Sequence, residues 1–256
     1  MVVSMERWKG KIAIVTGAST GIGASIAEKL VEEGLQVVGL ARRSELIEQL
    51  SSKLQNKEGK LHSIKADISK EEDILKAFKW VSDNLGPVHI LINNAGIIQQ
   101  CNLCDGETEK WKKVLDVNVL GLCVSTREAV KVMKANNIDG HIIHINSIAG
   151  HSVLNIPGMN VYPASKHAVA ALTETLRQEL NHLGLKIKIT SVSPGAVSTA
   201  MAENNDLVMS KDLMEMVNKM PKLASEDIAD SVLYALSTPP HVQVHELIIK
   251  PVGEKE

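Results

Sequence analysis

Apolar runs of strand length alternate along this chain with longer stretches in which apolar residues recur at helical spacing. The runs are "KIAIVTG" (11–17), "QVVGLAR" (36–42), "KLHSIKAD" (60–67), "HILINNAG" (89–96), "GHIIHINS" (140–147), "KIKITSVSPG" (186–195) and "HELIIK" (245–250). Between them, 22–33, 70–84, 108–135 and 161–182 read as helices. Strands separated by helices need crossover connections, which predicts a parallel sheet covered on both faces. The expected fold is α/β, doubly wound, with seven strands in one domain over 1–256. Only 197–222 breaks the rhythm, with Met201, Met209, Met214, Met216 and Met220 between two proline-containing turns. That composition suits either a helical insert packed on the domain or a substrate flap.

The first run passes directly into "TGASTGIG", so Gly17, Gly21 and Gly23 precede a helical pattern. Glycines there permit a tight turn and close backbone approach, and free amides at a helix start attract a pyrophosphate. A structural turn also uses such glycines, but the placement after the first strand of a βαβ unit favours a dinucleotide. "ADIS" sets Asp67 and Ile68 just past the third run, and "NNAG" sets Asn94, Ala95 and Gly96 at the end of the fourth. Both lie where parallel strands present their carboxyl ends to a ligand.

Only two tyrosines occur, and one of them, Tyr162, stands four residues before Lys166 in "NVYPASKHAV". Residues at that spacing share a helix face, and a neighbouring ammonium favours the phenolate over the phenol, whose ordinary pKa is about 10. Ser147 closes the fifth run, where its hydroxyl could orient a substrate carbonyl toward Tyr162. Asn118 sits among Val117, Val119, Leu120 and Leu122, and a buried amide needs a partner. It caps a local kink or belongs to a polar relay reaching Lys166.

Composition narrows the field. With 28 Lys and Arg against 30 Asp and Glu, the formal charge of −2 provides no basic surplus for nucleic acid. The start, "MVVSMERWKGK", lacks the apolar core of a signal peptide, and no window approaches the roughly 18 apolar residues of a membrane span. Three cysteines, Cys101, Cys104 and Cys123, suit a reducing cytosol, so a cytoplasmic location is expected. "CNLC" resembles half of a zinc or redox site but has no second ligand pair, so no metal is expected.

"TGASTGIG", "NNAG", "DVNVLG", "INS", "YPASK" and "SPGAVST" together resemble, in order and over nearly the whole chain, the short-chain dehydrogenase/reductase family. "GHIIHINSIAGH" and "NVYPASKHAVAALTETLRQEL" look most like its subgroup that contains dehydrogenase/reductase SDR family member 11 and the insect NADP-dependent farnesol dehydrogenases. The resemblance implies a Rossmann-type sheet in a three-layer α/β/α sandwich and a catalytic tetrad of Asn118, Ser147, Tyr162 and Lys166. Tyr162 would be the acid in carbonyl reduction and the base in alcohol oxidation. Lys166 would lower its pKa and hold the nicotinamide ribose, Ser147 would bind the reacting oxygen, and Asn118 would position a water. Cofactor contacts would fall on Ser19, Thr20, Ile22, Asn94, Pro194, Gly195, Val197 and Thr199. One departure is the spacing of fifteen residues from Ser147 to Tyr162, slightly longer than is common in the family.

Cofactor choice rests on "GLARRSE". An acidic residue at the end of the second strand would bind the 2′-hydroxyl of NAD, but this chain has Ala41, then Arg42 and Arg43, with Glu45 nearby. Guanidinium groups suit a 2′-phosphate, so NADP(H) is expected. By analogy the pocket would use Ile97, Ile98, Val153, Leu154, Ile156, Met159, Val197 and Met201, which suit a lipophilic alcohol or ketone such as a terpenoid or steroid. The apolar helix 108–135 and the ridge Ala164, Ala168 and Ala171 on 161–182 predict a homodimer or homotetramer. A different class, a dinucleotide-binding redox sensor or scaffold, shares this fold but has no need of a phenol and an ammonium together.

Overall fold

The structure, a computed structural model, describes residues 3–153, 158–159, 161–199, 201 and 219–254. Each predicted apolar run contains a strand: β1 (Ile12–Thr16), β2 (Gln36–Ala41), β3 (Lys60–Lys65), β4 (Ile90–Asn93), β5 (His141–Ile145), β6 (Lys188–Pro194) and β7 (Glu246–Ile249). All pairings are parallel, in the order β3-β2-β1-β4-β5-β6-β7. Among the described residues the helices are α1 (Gly21–Glu32), α2 (Ser44–Lys53), α3 (Glu71–Asn84), α4 (Thr108–Leu115), α5 (Leu122–Ala135), α6 (Tyr162–His182) and α7 (Ser225–Ser237). They flank the sheet on both faces, as a parallel sheet requires.

Strand residues divide alternately between two cores because successive side chains point to opposite faces. Ala13 and Val15 of β1 join Ile26, Leu30, Ile228 and Val232 on the α1 and α7 side. Ile12 and Ile14 join Ile74, Phe78, Ala129 and Met133 on the other. Strand order reverses between β1 and β4, which opens a crevice at their carboxyl ends.

The stretch 108–135 is not one regular helix. A π-helical turn, Asp116–Gly121, separates α4 from α5. Asn118 lies in it, buried, and its side chain bonds backbone outside the helix, which is a recognised cause of such an irregularity. Gly121 in the same turn packs so closely on Ile68 that a Cβ would meet that residue's carbonyl and side chain.

Helices α2 and α7 lie outside the stretches picked out by periodicity. α2 buries only Ile47, which leaves a weak pattern. α7 carries a local signal: the Asp227 carboxylate accepts a 2.8 Å hydrogen bond from the Ala224 amide at the helix start. The 197–222 segment, with Met209, Met214 and Met216, lies mostly outside the described residues. Its flanks are joined where Val197 bridges Leu223. No helix among the described residues is long and apolar enough to cross a membrane.

Candidate active site

Thr16 ends β1 and organises the glycine turn. Its Oγ1 accepts hydrogen bonds from the amides of Asn94 and Ala95, each at 3.0 Å. Asn94 replies through Nδ2, donating to the carbonyls of Thr16 at 2.9 Å and Gly17 at 3.2 Å. The ends of β1 and β4 are thereby locked together. Gly17 has φ +70°, and a Cβ there would sit 2.9 Å from the Ala95 Cα. Gly23 leaves no room either, since a Cβ would meet Asn94 Nδ2 and the Gly17 carbonyl. These glycines are required by close approach and, at Gly17, by backbone sign as well.

The turn borders a groove that brings together most of the residues expected to bind a cofactor. Gly17, Ser19, Thr20, Gly21, Ile22, Gly23, Arg42, Arg43, Asp67, Ile68, Asn94, Ala95, Gly96 and Thr199 all line it. α1 begins there without a side-chain cap, so its leading amides suit a pyrophosphate. Arg42 and Arg43 are exposed just beyond the buried Ala41, and Arg43 Nη2 donates to Thr20 Oγ1 at 3.5 Å at the start of α1. Burial opposes ionisation of Asp67, but its hydrogen bonds from the Ser69 hydroxyl and amide and the nearby Arg42 charge outweigh it and hold the carboxyl below its ordinary value. A tight glycine cradle, uncapped helix amides and paired guanidinium groups fit a phosphorylated dinucleotide.

Pro194, Gly195, Val197, Tyr162 and Lys166 stand outside this lining. Pro194 closes β6, and the Gly195 amide donates to the Ile249 carbonyl at 2.7 Å. Lys166 approaches the groove at Gly96, where an added Cβ would lie 3.8 Å from its Nζ and 3.7 Å from Asn118 Oδ1.

Tyr162 opens α6 and is buried, as is Lys166 one turn later. The Lys166 Nζ donates to the Ile145 carbonyl at 2.9 Å and lies 5.8 Å from the centre of the Tyr162 ring. Burial pushes the Lys166 ammonium down to about 8. Burial also pushes the Tyr162 phenol above its ordinary value, and the counteracting influence is a hydrogen bond from Ser147. The net displacement is therefore upward, opposite to the expected lowering by Lys166, because desolvation of a buried phenolate outweighs its neighbours. Ser147 also accepts the Ala149 amide at 3.1 Å, which fixes the turn after β5.

Asn118 bonds the Ile97 backbone and the Ser165 hydroxyl. Its Oδ1 accepts from the Ile97 amide at 2.8 Å, while its Nδ2 donates to the Ile97 carbonyl and to Ser165 Oγ, both at 3.0 Å. Ser165 in turn donates to the Tyr162 carbonyl at 2.7 Å. The amide thus joins the segment after β4 to the first turn of α6.

Sequence reasoning missed Thr16, Ser69, Lys113, Val117 and Ser165. Thr16 carries a readable signal, a polar residue ending an apolar strand before a glycine turn. Lys113 and Val117 line the groove from one helix face, at a spacing that only their placement makes informative. Of the expected substrate contacts, Ile97, Ile98, Met159, Val197 and Met201 are half-buried, while Val153 is exposed. Leu154 and Ile156 lie outside the described residues. Cys101, Cys104 and Cys123 are free thiols.

The chain matches the short chain dehydrogenase family over residues 11–208. It is 50% identical to the farnesol dehydrogenase of Aedes aegypti, over 98% of this chain and 100% of that one. It is 44% identical to dehydrogenase/reductase SDR family member 11 of Gallus gallus, over 98% and 99%. An alcohol dehydrogenase from the archaeon Thermococcus sibiricus, complexed with 5-hydroxy-NADP, superposes with a TM-score of 0.83 at 26% identity, covering 97% of this chain and 99% of that one. With the parallel sheet, the glycine cradle at its crevice and the buried tyrosine and lysine on α6, this chain belongs to the short-chain dehydrogenase family.

Proposed function

We propose that this chain is a cytoplasmic NADP(H)-dependent oxidoreductase that moves a hydride between nicotinamide and a lipophilic alcohol/carbonyl pair, acting as a single catalytic domain. The observation that carries the proposal is the buried Tyr162, hydrogen-bonded to Ser147, with Lys166 beside it where the groove passes Gly96.

In the reductive direction Ser147 orients the substrate oxygen, and Tyr162 donates its phenolic proton to that oxygen. A bound NADPH, held by the glycine turn and the arginines after β2, would supply the hydride. The phenolate left on Tyr162 is stabilised by the Ser147 hydroxyl and by the Lys166 ammonium. Oxidation runs the same transfers backward, with Tyr162 as base. Asn118 contributes by holding Ile97 and Ser165, which fixes the groove wall to the first turn of α6.

Arg42 and Arg43, following Ala41 where NAD-binding sheets carry an acid, favour a 2′-phosphate. The half-buried aliphatic residues Ile97, Ile98 and Met201 favour a substrate without charge, and the likeness to a farnesol dehydrogenase supports a terpenoid-like alcohol. Leu115 and Leu120 are 40% and 57% exposed and, with Ala164 and Ala171, leave apolar surface that suits a homodimer or homotetramer.

The test is Tyr162→Phe. Turnover of a panel of lipophilic alcohols and ketones, followed by nicotinamide absorbance, is expected to vanish while NADPH binding persists. Retained turnover would remove the assigned chemistry, and NADPH binding without turnover of any panel member by the wild type would favour a sensor.

A further inference from the structure

The last turn of the described chain reaches back to the cofactor side of β6. Pro251 is buried, the Glu254 amide donates to the Pro251 carbonyl at 3.1 Å, and Gly253 between them has φ +87°. A positive φ at the third residue of a four-residue turn reverses the chain, and glycine adopts it without strain. The reversal carries the Glu254 side chain over Gly195. Its Oε1 accepts a 3.0 Å hydrogen bond from the Ala196 amide. Its other oxygen, Oε2, is shielded from solvent without a hydrogen-bond partner among the described residues. A Cβ at Gly195 would lie 2.7 Å from Oε2 and 2.8 Å from Oε1, so the carboxylate occupies the space that the glycine leaves open.

The bond continues into the groove. The Ala196 carbonyl accepts from the Leu223 amide at 2.8 Å, and the Ser198 amide donates to the Leu223 carbonyl at 2.8 Å. One residue on, Thr199 lines the groove and lies 3.3 Å from where a Cβ on Gly21 would be. The path runs from the tail to Ala196, then to Leu223 and Ser198, then to Thr199 at the glycine turn.

We infer that Glu254 is a positioning residue: its carboxylate clasps Gly195 and Ala196 and so holds Ser198, Thr199 and Leu223 at the cofactor groove. The role rests on the dinucleotide-binding reading above for its consequence, but not for its geometry. A carboxylate oxygen is a strong acceptor for the Ala196 amide.

Amide hydrogen exchange in the cofactor-free protein tests the clasp directly, with Glu254→Ala and Glu254→Gln compared with wild type. Glu254→Ala is expected to speed exchange at Ala196, Ser198 and Leu223 by about tenfold or more, while β1 and β4 keep their protection. NADPH affinity, measured by titration, is expected to fall by a similar factor. Glu254→Gln keeps an oxygen that can accept from Ala196 and is expected to restore most of both. Unchanged exchange at those three amides, uniform acceleration across the sheet, or a Gln variant as impaired as Ala would overturn the inference. If wild type binds no NADPH, the functional reading fails, and the exchange result alone still decides the clasp.

Discussion

The Lys166 Nζ stands 5.8 Å from the centre of the Tyr162 ring while its hydrogen bond goes to the Ile145 carbonyl at the end of β5. The sheet therefore holds the cation in place beside the phenol. Burial raises the phenol and the Ser147 hydrogen bond opposes that rise. Removing the hydroxyl leaves the rise unopposed. Ser147→Ala is expected to lower turnover and to move the rising, acid-side limb of the alcohol-oxidation profile to higher pH. The sign follows because oxidation needs the phenolate, which forms only as pH passes the tyrosine's own pKa. A profile of kcat/KM from weakly acidic to strongly alkaline pH, with the limb unmoved, would count against the bond.

The proposed preference for NADP(H) rests on the residues that follow β2. Arg42 and Arg43 border the groove without an acidic residue at Ala41. If one guanidinium contact to phosphate is worth roughly 1.5–3 kcal/mol, removing it weakens NADPH binding about ten- to over a hundredfold. Ala41→Asp combined with Arg42→Leu is expected to do so and to shift preference toward NADH. Wild-type protein with equal affinity for both cofactors would refute the assignment.

His144 is fully buried on β5 between Thr173 Oγ1 at 3.0 Å and Thr126 Oγ1 at 3.4 Å. Thr173 spends its own proton on the Val169 carbonyl, and Thr126 accepts from Asn93, so only a neutral imidazole bearing its proton on Nδ1 satisfies every partner. Burial, aided by Lys166, pushes this histidine down to about 3. As pH falls from 6.5 toward 3, the unfolded chain takes up a proton that the folded chain refuses, so stability present above that window is lost within it. By pH 5 the loss from this one group is about 2 kcal/mol. His144→Gln is expected to be less stable than wild type at pH 7 but to lose about 2 kcal/mol less between pH 7 and 5 by denaturant titration. Equal losses in the two proteins would refute the account.

Leu120, 57% exposed at the π-helical turn, projects from the surface expected to pair with a second copy. A carboxylate buried there without a partner opposes association strongly. Leu120→Glu is expected to reduce the assembled mass in light scattering at micromolar concentration, with unchanged circular dichroism. A wild type already monomeric would end the oligomer proposal.

The sequence by itself determined the seven strands, their parallel arrangement, the glycine turn and the identity of most groove residues. Those features are encoded in patterns that a few neighbouring residues complete: apolar runs, helical spacing, a glycine cluster after a strand. Tertiary structure alone decided what depends on partners distant in the chain. Asn118 breaks its helix because Ile97, twenty-one positions away, supplies backbone partners that a local reading cannot see. Tyr162 is displaced upward because the fold buries it, and burial is a property of everything packed around a residue. Glu254 meets Ala196 across fifty-eight positions. No periodicity links such pairs, since only the assembled sheet brings them together, and the energy of their contacts is gained after the intervening chain has been ordered rather than before it.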